Sequence, residues 1–284
     1  MNTSPTPSAE LDAPLLKDRY RPQQLLARGG SAMVFRGRDE LLGKDVAIKL
    51  FNGADEQRLA EFRSEVRVVA SLGHHGIVAI TDAGIDRSSV EDPRPFLVME
   101  FVPGETLRET IARKQLSIVE VGEIGFELAE VLEYVHAHGV VHHDISPSNV
   151  MLVHYKTPSS RTRARLTDFG IAAASGRARP VGQPVHGTAA YLSPEQASGD
   201  TITTASDIYS LGLVLLEALT DIRAFPGDAV ESALARLRVD PDIPESLPDA
   251  WRQLLGRMVA RDPALRPTAD EIAHDLRALL RHAG

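Results

Sequence analysis

The chain has 284 residues, 43% of them hydrophobic and 25% charged, which is enough for a sizeable core and ordinary for a soluble enzyme. Lys plus Arg number 31 against 39 Asp plus Glu; the net charge of −8 speaks against a general nucleic-acid or anionic-membrane binder, so phosphate chemistry must rest on local positive charge. With no cysteine there are no disulfides, thiolate nucleophiles or cysteine metal sites, which suits the cytoplasm, where we expect the protein to act.

Residues 1–18 begin MNTSPTPSAELDAP, with neither a basic start nor an apolar h-region, and read as a disordered Ser/Thr/Pro-rich tail rather than a secretory signal. Short strands broken by glycines follow, YRPQQLLARGG (20–30), AMVFRGRD (32–39) and KDVAIKLF (44–51), and their preference is for an antiparallel sheet. Over 55–72 Leu59, Phe62, Val66 and Val69 recur at helical spacing with Gly73 as the stop, and Glu65 falls on the same apolar stripe. Two further strands, IVAITDAGI (77–85) and PFLVMEFV (95–102), flank the polar loop DRSSVEDPR.

From residue 104 the period becomes helical, and Thr106 with Glu109, Ser117 with Glu120 and Thr268 with Glu271 form the Ser/Thr-x-x-Glu signature of a capping box. The apolar run IYSLGLVLLEALT (208–220) contains Glu217 and falls short of the roughly 20 residues needed to span a bilayer, so it reads as a buried helix. No repeat of 20 to 50 residues is visible. The pattern is α+β: a small antiparallel β lobe with one main helix at about 19–100, joined to a larger, mostly helical lobe at about 104–281.

Each candidate functional residue is weak alone. The glycine pair in ARGGSAMVF (27–35) is a hairpin turn by default, although glycines there also let backbone N–H groups approach phosphates. Lys49, ending VAIK, is a snorkelling lysine unless buried with a partner, and Glu65 is the available partner. Asp168 in LTDFG is a turn residue alone, but with Asn149 it makes a pair of oxygen ligands of the kind Mg²⁺ takes alongside substrate phosphates. Asp144, five residues before Asn149 and acceptor-only, suits removal of a hydroxyl proton.

The order of these elements resembles the eukaryotic-type (Hanks-type) bacterial serine/threonine protein kinase family over about residues 19–281: glycine hairpin, VAIK, helix glutamate, HHDISPSN, DFG and SPE. The resemblance implies the bilobal kinase fold, ATP with Mg²⁺ (or Mn²⁺) as cofactors, and a protein substrate with Ser or Thr acceptors. It implies that Lys49 holds the α/β-phosphates and pairs with Glu65, that Asp144 is the catalytic base, and that Asn149 and Asp168 bind the metal. Leu26, Gly29, Gly30 and Ser31 of the hairpin, Val34 and Ala47 as an apolar roof, Met99 as gatekeeper and Glu100 to Val102 as hinge are the implied nucleotide-binding residues. GTAAYLSPE (187–195) resembles the family's substrate-facing segment, Asp207 a brace for the catalytic loop, and Glu195 with Arg266 a buried ion pair.

Two cations of the family pattern are absent. His143 replaces the arginine that receives an activation-loop phosphate, and residues 171–186 offer only Ser175 as a hydroxyl, so we expect no requirement for loop phosphorylation. Ser146 replaces the lysine that neutralises the phosphoryl group in flight, with Arg177 or Arg179 as substitutes, and Ala27 and Ala32 stand in two glycine places. The alternative reading is therefore a pseudokinase that binds nucleotide or a partner without transfer. The paired histidines His74-His75, His136/His138 and His142-His143 show no zinc-type spacing.

Overall fold

The computed structural model describes residues 14–30, 32–89, 92–114, 116–154, 161–169 and 188–283. The chain forms two compact units, one reaching Ser71 and resuming at Ala79–Val102, the other made of Leu72–Val78 and everything from Pro103 onward.

In the first unit β1 (Tyr20–Arg28), β2 (Ala32–Asp39), β3 (Lys44–Phe51), β4 (Ile80–Asp86) and β5 (Arg94–Glu100) form an antiparallel sheet in the order β1-β2-β3-β5-β4. Burial alternates along β3, where Val46, Ile48 and Leu50 join Phe35, Phe96, Val98, Tyr20 and Leu16 in one core. The two-residue period then puts Val34, Ala47, Lys49, Leu97 and Met99 on the opposite face, as the pairings Val34 with Lys49, Lys49 with Leu97 and Ala47 with Met99 require. Leu16, within the tail that the sequence suggests, is buried in that core, and Lys17 donates to Asp82 and to the Ala83 carbonyl.

Helix α1 (Glu56–Ala70) starts at Asp55, whose side chain accepts from the Arg58 N–H at 2.8 Å, and it buries Leu59, Phe62, Glu65, Val66 and Val69. Phe62 meets Phe51 of β3 edge to face at 5.5 Å.

The expected strand 77–85 is divided. Ile77 bridges Leu166, and Val78 donates to the Leu166 carbonyl at 2.9 Å, so this stretch belongs with the second unit and β4 begins at Ile80. An apolar run does not say which partner its backbone will find.

The second unit contains α2 (Leu107–Ala112), α3 (Ile118–Ala137), α4 (Pro194–Ser198), α5 (Thr204–Thr220), α6 (Ala229–Arg236), α7 (Asp249–Met258) and α8 (Ala269–Ala283). It also contains a small sheet, β6 (Glu105–Thr106), β7 (Val150–His154) and β8 (Thr162–Leu166), which helical periodicity does not disclose. All three expected capping boxes form. Helix α5 is buried without a break from Ser206 to Ala218, as expected of a helix apolar on every side, and no helix among the described residues is long and apolar enough to cross a membrane.

Arg266 donates to both carboxylate oxygens of Glu195 at 2.6 and 2.9 Å, Ser206 adds a bond at 2.6 Å, and the guanidinium lies over the Tyr209 ring. Burial opposes charge on Glu195, yet the bonds from Arg266 and Ser206 hold its carboxyl below the usual carboxylate range.

Candidate active site

The first unit supplies the expected nucleotide-binding residues. The hairpin between β1 and β2 closes with Gly29 N–H donating to the Ala32 carbonyl at 2.8 Å. A Cβ added at Gly29 meets nothing nearer than that carbonyl at 3.4 Å, so the hairpin itself does not require glycine there. Close approach by something outside the chain is what a glycine admits. Asn52, which the sequence did not single out, donates to the Gly30 carbonyl at 2.9 Å and ties the hairpin tip to the end of β3. Leu26 is exposed beside a register shift between Leu25 and Ala27, and Ser31 lies outside the described residues.

Lys49 projects from the same face as Val34, Ala47 and Met99, with its ammonium 5.6 Å from the Phe51 ring. Met99 and Val102 are buried, and Glu100 donates its N–H to the Ala79 carbonyl at 3.0 Å. Glu65 is 7% exposed and makes no hydrogen bond or ion pair among the described residues, so this structure does not join it to Lys49. Burial, reinforced by the charge of Glu61, pushes its carboxyl up to about 7.

That shift has a measurable consequence. In the unfolded chain Glu65 loses its proton near 4.5, whereas the folded chain keeps it to about 7, so Glu65 subtracts stability as pH rises through that window. A shift of this size corresponds to roughly 3 kcal/mol. Glu65→Gln should therefore unfold at a higher urea concentration than wild type at pH 8 and at the same concentration at pH 4.5 or below. Equal midpoints at pH 8 would show that folding does not raise this carboxyl's pKa.

The second unit carries Asp144, Asn149 and Asp168. The ladder of β7 and β8 pairs Val150 with Leu166 and is prolonged by Thr167 N–H donating to the Asn149 carbonyl at 2.9 Å. Strand pairing thus brings Asn149 and the residue before Asp168 to one end of a small sheet. Asn149 donates its side-chain NH₂ to the Asp144 carbonyl at 2.7 Å, which spans the loop and turns its amide oxygen away from that carbonyl. An amide oxygen and a carboxylate are hard oxygen donors of the kind a divalent cation takes, so these residues fit such an ion. Asp168 has φ +59° and His143 φ +67°, left-handed conformations that are uncommon for non-glycine residues and cluster at functional sites.

The loop that carries Asp144 is held from behind by Asp207 on α5. Its carboxylate accepts from the backbone N–H groups of His142 (2.8 Å) and His143 (2.9 Å), and His136 Nε2 lies 2.9 Å from it. Burial opposes charge on Asp207, but His136 and His142 keep its carboxyl below the usual range. The fully buried His142 accepts the Asp144 N–H at Nδ1 (3.2 Å), so its proton sits on Nε2, which donates to the Thr167 carbonyl at 3.1 Å. Burial pushes that imidazole down to about 4, and its ring packs on Phe169 at 4.5 Å.

Gln196 donates to the His143 carbonyl at 3.0 Å, fixing the loop from a second side. Neither His136 nor Gln196 was foreseen; Gln196 stands out only as the third residue of the Ser193 capping box. Ser146 is 3% exposed and makes no side-chain cap to the Pro147–Asn149 turn. Residues 170–187, with Ser175, Arg177 and Arg179, lie outside the described residues. Among the described residues no three His, Asp or Glu side chains gather to hold a metal; His74 stacks on Tyr134, whose ring lies tilted against His138 at 4.3 Å.

Comparison with known proteins matches residues 20–276 to the protein kinase domain. The serine/threonine-protein kinase PknA of Mycobacterium tuberculosis is 37% identical over 271 residues, covering 91% of this chain and 61% of its own length. PknB of the same organism is 35% identical over 274 residues, covering 92% of this chain and 43% of its own. A probable serine/threonine-protein kinase of Streptomyces coelicolor is 38% identical over 282 residues, covering 93% and 40%. The chain thus spans about two-fifths to three-fifths of the length of these curated relatives. With its antiparallel sheet, its single main helix in the first unit and its helical second unit, the chain belongs to the protein kinase family, and its relatives there are bacterial serine/threonine kinases.

Proposed function

We propose that the chain transfers the γ-phosphoryl group of ATP to serine or threonine hydroxyls of a protein substrate in the cytoplasm. The observation that carries this reading is the β7–β8 end: one strand pairing and one Asn149 side-chain bond fix Asp144, Asn149 and the approach to Asp168 together. Asp144 takes the proton of the acceptor hydroxyl, and Asn149 and Asp168 hold Mg²⁺ through oxygen. When bound, the metal neutralises phosphate charge. Lys49 donates to the α/β-phosphates, and the Gly29-Gly30 hairpin presents backbone N–H groups to them. The family resemblance gives adenine the main chain of Glu100 to Val102, with Leu26, Val34, Ala47 and Met99 as apolar neighbours. Glu65, on the buried face of α1, is the partner the family resemblance gives Lys49.

No activation-loop phosphate is required. The loop that carries Asp144 is braced by Asp207 and Gln196 through the backbone of His142 and His143, contacts that need no phosphate receiver. Ser175→Ala is accordingly expected to retain wild-type transfer rates in a steady-state kinase assay, and a loss of activity would overturn this point.

The second reading, nucleotide binding without transfer, is favoured by Ser146 in the lysine place. Ser146→Lys is expected to raise the transfer rate by up to about 10²–10³-fold, the share a single electrostatic contact to the reacting group supplies, at some loss of stability because the site is buried. For nucleotide binding itself, Mg²⁺ with ATP should raise the melting temperature of the wild-type chain, and Lys49→Met and Asp168→Asn should lose most of that rise. A wild-type melting temperature indifferent to ATP contradicts the assignment.

A further inference from the structure

Arg236, the last residue of α6, is only 1% exposed, and no carboxylate among the described residues forms an ion pair with it. Burial pushes its guanidinium down to about 10, which leaves it charged at neutral pH. A buried charge without a counter-charge is tolerated only when its donors are satisfied. Here Nε donates to the Ser232 carbonyl at 3.0 Å, Nη2 to Ser232 Oγ and to the Ala189 carbonyl, each at 2.7 Å, and Nη1 to the Leu192 carbonyl. The guanidinium carbon lies 5.0 Å from the centre of the Phe225 ring.

Two of these acceptors belong to the stretch from Thr188 to Leu192, a single 3-10 turn followed by extended chain. Such a stretch lies outside the ladders of sheet and helix, so its partly buried Ala189 and Leu192 carbonyls need donors from side chains. Ser210 supplies one, donating to the Tyr191 carbonyl at 2.7 Å. Arg236 supplies the other two, and it is the one charged side chain among the described residues that donates to this backbone.

We propose that Arg236 is a positioning residue for the protein substrate: it fixes the Thr188–Leu192 backbone against α6 so that the segment is already shaped when substrate arrives. The proposal rests on the kinase reading, through the resemblance of residues 187–195 to a substrate-facing segment. Arg236 does not touch the phosphoryl donor, and its loss is therefore expected to separate substrate affinity from nucleotide affinity.

The test combines hydrogen exchange with steady-state kinetics on wild type, Arg236→Met and Arg236→Lys. In Arg236→Met the amides of residues 189–193 should exchange at least tenfold faster while α3 and α5 keep their protection, and the KM for a generic Ser/Thr protein substrate should rise about tenfold, as expected for a lost charged hydrogen bond, with the ATP KM unchanged within twofold. Arg236→Lys, whose single ammonium cannot fork to both carbonyls, should fall between, and it carries the test if the methionine variant does not fold. Wild-type exchange and wild-type substrate KM in folded Arg236→Met overturn the proposal. So does a parallel change of both KM values with melting temperature, the mark of general destabilisation. A wild-type chain with no transfer activity counts against the kinase reading, while the exchange measurement still judges Arg236.

Discussion

Asp144→Asn is expected to lower the rate of phosphoryl transfer by about 10²–10⁴-fold, the usual share of a general base, while ATP still raises the melting temperature as it does for wild type. The backbone of residue 144 is fixed on both sides, its N–H by His142 Nδ1 and its carbonyl by Asn149, so the change removes a carboxylate without releasing the loop. Asparagine fills the same space but cannot take a proton from a hydroxyl. Transfer by Asp144→Asn at the wild-type rate would remove this residue from the mechanism.

The largest expected effect on stability is at Arg266. Replacing it by alanine leaves Glu195 buried with Ser206 as its remaining side-chain partner and frees the Ala205 and Ala260 carbonyls that the guanidinium also serves, and breaking a buried pair in this way costs about 3–5 kcal/mol. Urea unfolding at neutral pH measures it. Because the folded chain holds the Glu195 carboxyl below its usual range, the contribution of the pair is present above the ordinary glutamate pKa of 4.5 and fades as pH falls below it, so wild type and Arg266→Ala should converge in acid. Replacing both residues with methionine removes the unpaired charge and should cost less than the single change. A loss below about 1 kcal/mol in Arg266→Ala would show that the pair is incidental.

Much of the chain was legible because its local signals agree with its tertiary packing. The segments read as AMVFRGRD and KDVAIKLF coincide with β2 and β3, where burial on one face enforces the alternation, and the three Ser/Thr-x-x-Glu boxes close as written. The unread parts depend on distant partners. Nothing within IVAITDAGI announces that its first residues pair with Leu166, and the short strands β6 to β8 are too brief to impose a period. The kinase resemblance pairs Lys49 with Glu65, and whether the two side chains meet depends on how α1 sits, which spacing does not encode. His136, Gln196 and Arg236 lay hidden because each acts on a remote segment, His136 on the Asp207 carboxylate and the other two on backbone carbonyls, where a composition or motif has no bearing.

The departures from the family pattern gain physical content from the structure. His143 takes a left-handed backbone and is held by Asp207 and Gln196 through its N–H and carbonyl, so the conformation of the loop does not depend on an arginine at that place. Ser146 is different, because a positive charge facing the transferred group has no equivalent among backbone contacts. The rate of transfer is therefore more exposed to that substitution than the shape of the loop is.

The most direct test of the central claim is transfer of label from γ-radiolabelled ATP, in the presence of Mg²⁺, to the chain itself and to a generic protein substrate, followed by identification of the labelled amino acid. The predicted result is label on phosphoserine or phosphothreonine from the wild-type chain and none from Asp144→Asn. No label from a wild-type chain whose melting temperature ATP nevertheless raises would contradict the account and make this a nucleotide-binding protein without transfer activity.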